Sequence, residues 1–457
     1  MKNTKHQLIP FSFYDLTGME RHLERMAERG WLLDKISALG WRYHRIEPKR
    51  LHFTVTYCHR ASAYDPEPTE EVQTFHDFCA HTGWRLAAEF GSMQVFYNDQ
   101  EDPTPIDTDP ALELQMVGRE ARKNLPVQLL LLLLGLWMGG SWCYSLVHAP
   151  IDLLASPTSL FTGVCWLALF LWSGADLVTY LLWRRRAKQA AERGEFVPTH
   201  GCHRLMQAVM ALVVLGAVYF FLAARLPGLR LLTAAMVLGF AALFLAVNGT
   251  KDFLKSRKVS RNRNRAATIA VDILLATALT AGISCATITL ARSGAFSLAA
   301  DIEPPLTIAD LTGEEDSRYV VRSHVEASVF LKVRAFTEQS HPEADVRLPE
   351  LETRIVDVYL PGVYDFCLEE LLHERDDWEG FSGGGTVITP YYVYQGIDAA
   401  PFGAQAAWQR YAGGEDGEPT GDYLLSYPGR LVALECDWEL TAEEMAVAGA
   451  KLAPEAA

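Results

Sequence analysis

Acidic residues are scarce where this chain is most apolar: residues 125–290 hold six Asp and Glu against fifteen Lys and Arg. Basic residues are scarce at the other extreme, where residues 291–457 carry 11 against 31. With residues 1–124 close to balance at −4, the net charges of the three segments are −4, +9 and −20. A uniform soluble globule rarely divides like this, and the overall −15 argues against nucleic acid as the main partner, which needs a basic footprint. Cysteine is sparse as well: eight in 457 residues, with only Cys367 and Cys436 after residue 290, so that region holds at most one internal disulfide. No HExxH or GxGxxG occurs, and the glycine run Ser382-Gly-Gly-Gly385 lacks the Gly-Lys-Ser/Thr ending of a phosphate loop and precedes a strand-like run. The opening Met1-Lys-Asn-Thr-Lys5 leads into polar and aromatic sequence, so no signal peptide is expected.

What is present is a series of long apolar runs. Leu125–Val147, Thr158–Trp183, Met206–Ala224, Leu231–Asn248 and Ala267–Leu290 each reach the roughly 18–20 residues that cross a hydrocarbon layer as a helix. The third and fourth are separated by Arg225-Leu-Pro-Gly-Leu-Arg230, a tight turn. Lys and Arg in short loops set orientation. Six lie in 184–205, seven in 249–266, and Arg119, Arg122 and Lys123 precede the first run; the alternate loops hold three. The expectation is a cytoplasmic N-terminus, an extracytoplasmic C-terminus and a lipid bilayer as partner. Arg261-Asn-Arg-Asn-Arg265 is read as part of that topology signal, touching headgroups. Asp176 and Asp272 are the only carboxylates inside the runs; Asp176 is the candidate intramembrane functional residue.

Residues 8–98 repeat themselves. Phe11-Ser-Phe13 reads as a strand, Met19, Leu23, Met26 and Ala27 as the buried face of a helix, and Gly30 as its terminator before a hairpin over Trp31–Ser37 and Trp41–Glu47. Leu51, Phe53, Val55 and Tyr57 alternate as a second opening strand; a helix over Thr69–Thr82, Gly83 and a hairpin from Trp84 follow. At an offset of 53, Met19 meets Val72 and Met26 meets Cys79. Strand–helix–strand–strand, twice, predicts one pseudo-symmetric sheet with both helices on one face. By topology this resembles gyrase-inhibitor-like effector-binding modules, which hold small molecules between their halves. Trp41, Tyr43 and Phe96 are the candidate groove residues on that analogy.

Phe13-Tyr14-Asp15, Met19-Glu20, Leu23, Met26-Ala27 and Gly30-Trp31-Leu32 resemble the opening of the bacterial membrane proteins grouped as domain of unknown function 2812. The resemblance extends loosely to Tyr427-Pro-Gly-Arg-Leu-Val432 and Asp437-Trp438. It implies a cytosolic N-terminal domain, several transmembrane helices and no established activity, and it suggests a PadR-type transcriptional regulator, or another membrane protein, as partner.

Past Arg292 and a hinge at Glu303-Pro-Pro305, strand-like runs fall at Tyr319–Phe336, Glu352–Leu360, Thr386–Tyr394 and Tyr423–Trp438, the last a hairpin about Pro428-Gly429. Thr441-Ala-Glu-Glu444 is a capping box opening a helix to Leu452. Cys367 and Cys436, exposed to an oxidising side, are a candidate disulfide that would add about 2–4 kcal/mol. His76 and Cys79 share a helix face, but the spacing is no known zinc motif and Cys79 aligns with a core Met, so packing is the expected role. The carboxylates of Glu369–Glu379 read as a solvated helix face.

The sequence therefore predicts a multi-domain membrane protein. It comprises a cytosolic α+β domain (1–110), a juxtamembrane helix (111–124), five transmembrane helices within 125–290 and an extracytoplasmic acidic α+β domain (291–457). No cofactor, metal or catalytic residue is assigned. The expected function is a non-enzymatic sensor or regulator coupling the outer domain to the inner one, with a transporter or efflux-associated protein as alternative. A membrane enzyme would require His324, His341 and His373, or carboxylates, to converge.

Overall fold

The structure, a computed structural model, describes residues 3–9, 11–37, 40–58, 60–223, 227–292, 302–313, 316, 318–341, 348–373, 392–414 and 417–454. Outside them lie Arg225-Leu226 of the expected turn, Glu374 and Glu379 of the acidic stretch, the Ser382–Gly385 run and residues 386–391 of an expected strand.

The N-terminal region runs β1 (Thr4–Gln7), α1 (Leu16–Glu28), β2 (Trp31–Ser37), β3 (Gly40–Arg45), β4 (His52–Tyr57), α2 (Glu70–His81), β5 (Arg85–Phe90) and β6 (Met93–Asn98). The order is the repeated strand–helix–strand–strand read from sequence. Gly30 and Gly83 both end their helices in the left-handed region, at φ +80° and +87°, where a side chain would be strained. The equivalent pairs Met19/Val72 and Met26/Cys79 are all buried.

Two expectations change. The first strand is the polar Thr4–Gln7, not Phe11–Phe13. The halves also form two antiparallel three-stranded sheets, β1-β3-β2 and β4-β6-β5, rather than one. The outer edge of β4 is closed by α1 instead of a strand: the Glu20 carboxylate accepts the Val55 N–H at 2.9 Å. A helix carboxylate thus satisfies a donor that an extended sheet would have paired.

Six helices follow: α3 (Pro110–His148), α4 (Pro150–Ala155), α5 (Pro157–Ala191), α6 (His203–Ala223), α7 (Pro227–Ser256) and α8 (Arg261–Arg292). All but α4 are long and apolar enough to cross a membrane. The expected juxtamembrane helix and first span are one element, with Pro126 inside it. Where α3 meets α5, a Cβ on Gly135 would fall 2.9 Å from the Phe170 backbone nitrogen, and Leu167 lies beside Gly139. Gly135 and Gly139, four residues apart, let the two backbones approach as small residues do in membrane helix pairs.

The C-terminal region holds α9 (Ile308–Thr312), β7 (Tyr319–Ala327), β8 (Leu331–Ser340), β9 (Leu351–Val358), α10 (Pro361–His373), β10 (Tyr392–Ile397), β11 (Ala406–Ala412), β12 (Glu418–Tyr427), β13 (Arg430–Cys436) and α11 (Ala442–Leu452). Among the described residues, seven strands form one antiparallel sheet ordered β10-β11-β12-β13-β9-β8-β7. The run Tyr319–Phe336 is a hairpin rather than one strand. Thr441 and Glu444 make the reciprocal capping box.

Alternation along β13 feeds two cores. Val432, Leu434 and Cys436 pack with α9 and α11 on one face. Leu431 faces the other layer, where Cys367 and Leu371 of α10 meet Ile151, Leu153, Leu154 and Ala155 of α4. The segment joining α3 to α5 is therefore part of this region's core. The Ile151 N–H donates to Glu370 Oε2 at 2.7 Å, and Arg354 pairs with Asp152 at 2.8 Å.

Candidate functional site

The segment between β1 and α1 is irregular because its side chains are used elsewhere. Ser173, Asp176, Tyr180 and Trp183 recur at three- and four-residue intervals on one face of α5. That face receives Ser12–Tyr14. The Ser12 hydroxyl donates to Asp176 Oδ1, and Gln128 Nε2 of α3 donates to Oδ2 at 2.6 Å. Tyr14 and Thr179 share a hydroxyl–hydroxyl bond. Phe13 packs on Tyr180 with ring centroids 5.4 Å apart, and Tyr14 stacks on Trp183. The clasp continues into the α5–α6 connection: the Thr17 N–H donates to Thr199 Oγ1 at 2.8 Å, and the Thr199 N–H returns the bond to Thr17 Oγ1 at 3.1 Å. Asp15 caps α1 through Gly18, and Gly201 sits so close to it that a Cβ there would lie 2.5 Å from Oδ2. The candidate Asp176 is thus buried, with Oδ1 engaged by Ser12 of the N-terminal region and Oδ2 by Gln128 of α3. Asp272, in contrast, is exposed on α8.

A second set of contacts joins the acidic, Pro-rich loop before α2, together with β5, to the basic end of α7 and start of α8. Lys258 meets Glu67 at 2.6 Å, Arg261 meets Asp65 at 3.8 Å, and Lys255 meets Glu89 at 3.6 Å. Asn264, fully buried, donates to the carbonyls of Tyr64 and Lys251. Exposed pairs of this kind contribute about 0–1 kcal/mol each; the buried Asn264 amide fixes the register.

Beside these contacts the N-terminal region leaves a cleft of about 920 Å³. Its walls are β2, β3, the loop before α2, β5 and residues 244–255 of α7. Leu86 and Phe90 on one wall and Phe244 and Leu245 on another are 38–56% exposed. Asp34–Arg42 and Glu89–Lys255 supply charges of both signs.

The three candidate groove residues are not in this cleft and are not brought together. Trp41 packs on Phe11 at 5.3 Å, Tyr43 bonds the His22 ring at 3.1 Å, and both belong to the main N-terminal core. Phe96 sits in a separate small cluster with Cys79 and Trp84. Their inward positions on β3 and β6 make them packing residues. Burial, with Arg25 and Lys5 nearby, pushes His22 down to about 4.

The candidate disulfide is corrected. Cys367 and Cys436 are buried free thiols in the cores on opposite faces of the same sheet, so a sheet's thickness separates them. Burial pushes both thiols up, Cys367 to about 12. His76 bonds Gln94 at 3.0 Å rather than joining Cys79, and no cluster able to hold a metal occurs among the described residues. Gly380-Phe-Ser-Gly-Gly384 also has the Gly-x-Ser-x-Gly spacing of a nucleophile elbow. It lies outside the described residues.

Burial raises Glu20 to about 8; the Val55 N–H opposes this, and Glu113, Glu24 and Asp107 add to it. A carboxyl raised in the folded state stabilises fully below its unfolded value near 4.5, and that stability is lost as pH rises through about 8. Glu20→Gln keeps the acceptor for Val55 and removes the titration. The fall in thermal stability of the full chain between pH 5 and 8.5 is therefore expected to flatten in this variant. An unchanged slope would show that Glu20 does not titrate in this range.

Among the described residues, five helices long and apolar enough to cross a membrane lie between an N-terminal region of repeated strand–helix–strand–strand units and a C-terminal antiparallel sheet region, an α+β arrangement. Residues 15–129, about a quarter of the chain, match the model of the family described as "Protein of unknown function (DUF2812)". The match takes in Asp15, the whole repeat from α1 onward and the start of α3. No curated protein and no solved structure matches the chain.

Proposed function

We propose that this chain is a membrane-anchored sensor or regulator. In this reading an extracytoplasmic C-terminal domain is coupled through five spanning helices to a cytosolic N-terminal domain that binds a ligand or partner. The chain performs no catalysis of its own. The observation that carries the reading is the clasp on α5: a folded domain is tied by buried polar bonds to polar positions of two helices, so a change in one is felt by the other. The compact units of the chain support the sidedness. The Lys- and Arg-rich connections after α5 and α7 group with the N-terminal region, and the poorly charged connection at α4 groups with the C-terminal one. A cytosolic partner of the PadR type remains the one the family resemblance suggests. Transport is the less favoured reading, because Asp176 spends both oxygens on Ser12 and Gln128.

The deciding experiment compares cells carrying wild type and Asp176→Ala. A changed transcript profile with unchanged accumulation of solutes is expected. Changed accumulation with an unchanged profile would replace the sensor by a transporter. Reporter fusions test sidedness: a C-terminal alkaline phosphatase is expected to be active, and an active C-terminal cytosolic reporter would reverse the orientation.

A further inference from the structure

The cleft of the N-terminal region lies against the same helix whose apolar surface faces outward. On α7, Val237, Leu238 and Phe240 are 54–70% exposed, and Phe244 and Leu245 continue that apolar surface into the cleft, where Asn248, Lys251 and Lys255 follow. We propose that the cleft binds a zwitterionic amphiphile. Its apolar chain lies against Leu86, Phe90, Phe244 and Leu245, and its two opposite charges are met by Asp34–Arg42 and Glu89–Lys255. The proposal rests on the reading that α7 spans a bilayer with the N-terminal region on the basic-loop side, which puts the cleft mouth at headgroup level.

Size and chemistry both bear on the occupant. A cleft near 920 Å³ is in the range that encloses small organic ligands, not one or two waters. Four partly exposed apolar side chains lining it on two walls leave their burial to a ligand. The flanking ion pairs are solvent-accessible, with side-chain exposures of 37–44%, so each contributes little on its own and re-pairs readily. A purely anionic head would engage Arg42 and Lys255 while leaving Asp34 and Glu89 facing it; a purely cationic head would do the reverse. A head bearing both charges offers a partner to side chains of each sign.

The test is native mass spectrometry of the full chain in a non-ionic detergent, titrated with probes of equal chain length. Lysophosphatidylethanolamine supplies the zwitterion, lysophosphatidylglycerol the anion and an alkyltrimethylammonium the cation; glycerophosphoethanolamine supplies the head alone. One saturable adduct is expected with the zwitterionic lipid, at least tenfold tighter than with the other three. The exposed double variant Leu86→Glu/Phe90→Glu is expected to weaken it at least tenfold, with an unchanged circular-dichroism melting curve. Phe244→Ser/Leu245→Ser tests the other wall independently. Equal affinity for the anionic or cationic lipid, equal binding of the head alone, or unchanged binding in both double variants would overturn the proposal. Sidedness is read separately from Lys35→Cys. Labelling by an impermeant maleimide in intact cells would overturn the membrane reading, while the detergent titration still decides the ligand.

Discussion

Ile151→Asp is expected to unfold the C-terminal region while leaving the N-terminal one intact. Ile151 is fully buried in an apolar cluster with residues of α10, β8 and β9. An unpaired charge in such a site costs more than about 4 kcal/mol, a large part of a domain's stability. Limited proteolysis of membranes is expected to degrade the chain beyond residue 302 in the variant and to spare it in wild type. Asp152→Ala is the control. Its carboxylate is 78% exposed, so loss of the Arg354 pair is worth at most about 1 kcal/mol and the digest is expected to stay as in wild type. An Ile151→Asp protein as resistant as wild type would show that α4 is not part of this core.

Asp176→Ala is expected to release the N-terminal clasp. The Ser12 hydroxyl and the Gln128 amide each lose a charged acceptor, and together these losses cost on the order of 2–4 kcal/mol. Amide hydrogen exchange in peptides covering 11–17 and 197–203 is expected to speed up about 30- to 1000-fold, the same free energy expressed as an opening equilibrium. Asp176→Asn keeps one oxygen for Ser12, and Gln128 can turn its carbonyl toward the new amide, so a rise of less than tenfold is expected. Equal effects of Ala and Asn would mean that the aromatic contacts of Phe13 and Tyr14, not the carboxylate, hold the segment.

Several elements were legible before the structure because local patterns and tertiary packing agree. Gly30 and Gly83 mark the repeat because both helix ends demand positive φ, and Thr441–Glu444 marks a helix start because the capping box is local. The five apolar runs are set by length alone. The failures share a cause: the deciding partner is remote in sequence. Thr4–Gln7 carries no apolar alternation, since it is an edge strand recognised only by β3. Phe11-Ser-Phe13 has strand composition, yet the Phe13 ring and the Ser12 hydroxyl are spent on α5, and the Phe11 ring on His22, Trp41 and His203. Trp41, Tyr43 and Phe96 look like groove aromatics from their residue type, and only the sheet faces reveal them as core. Cys367 and Cys436 share a region and a chemistry, but alternation along β13 sends Cys436 to the face opposite α10. The cleft was invisible because two of its walls are β strands of different halves and a third belongs to α7.

The place of α4 in the sheet's second layer also sets an order of events during synthesis. Ile151, Leu153 and Leu154 leave the ribosome long before β9, β12 and β13, which complete the core they enter. At about 5–20 residues per second the wait is on the order of tens of seconds. Over that interval the short apolar helix has no sheet to cover it, and the sheet, once made, folds around a piece already in position. A fragment begun after α8 would lack that piece, so a soluble C-terminal domain has to be made with residues 150–155 supplied, in the chain or as a peptide.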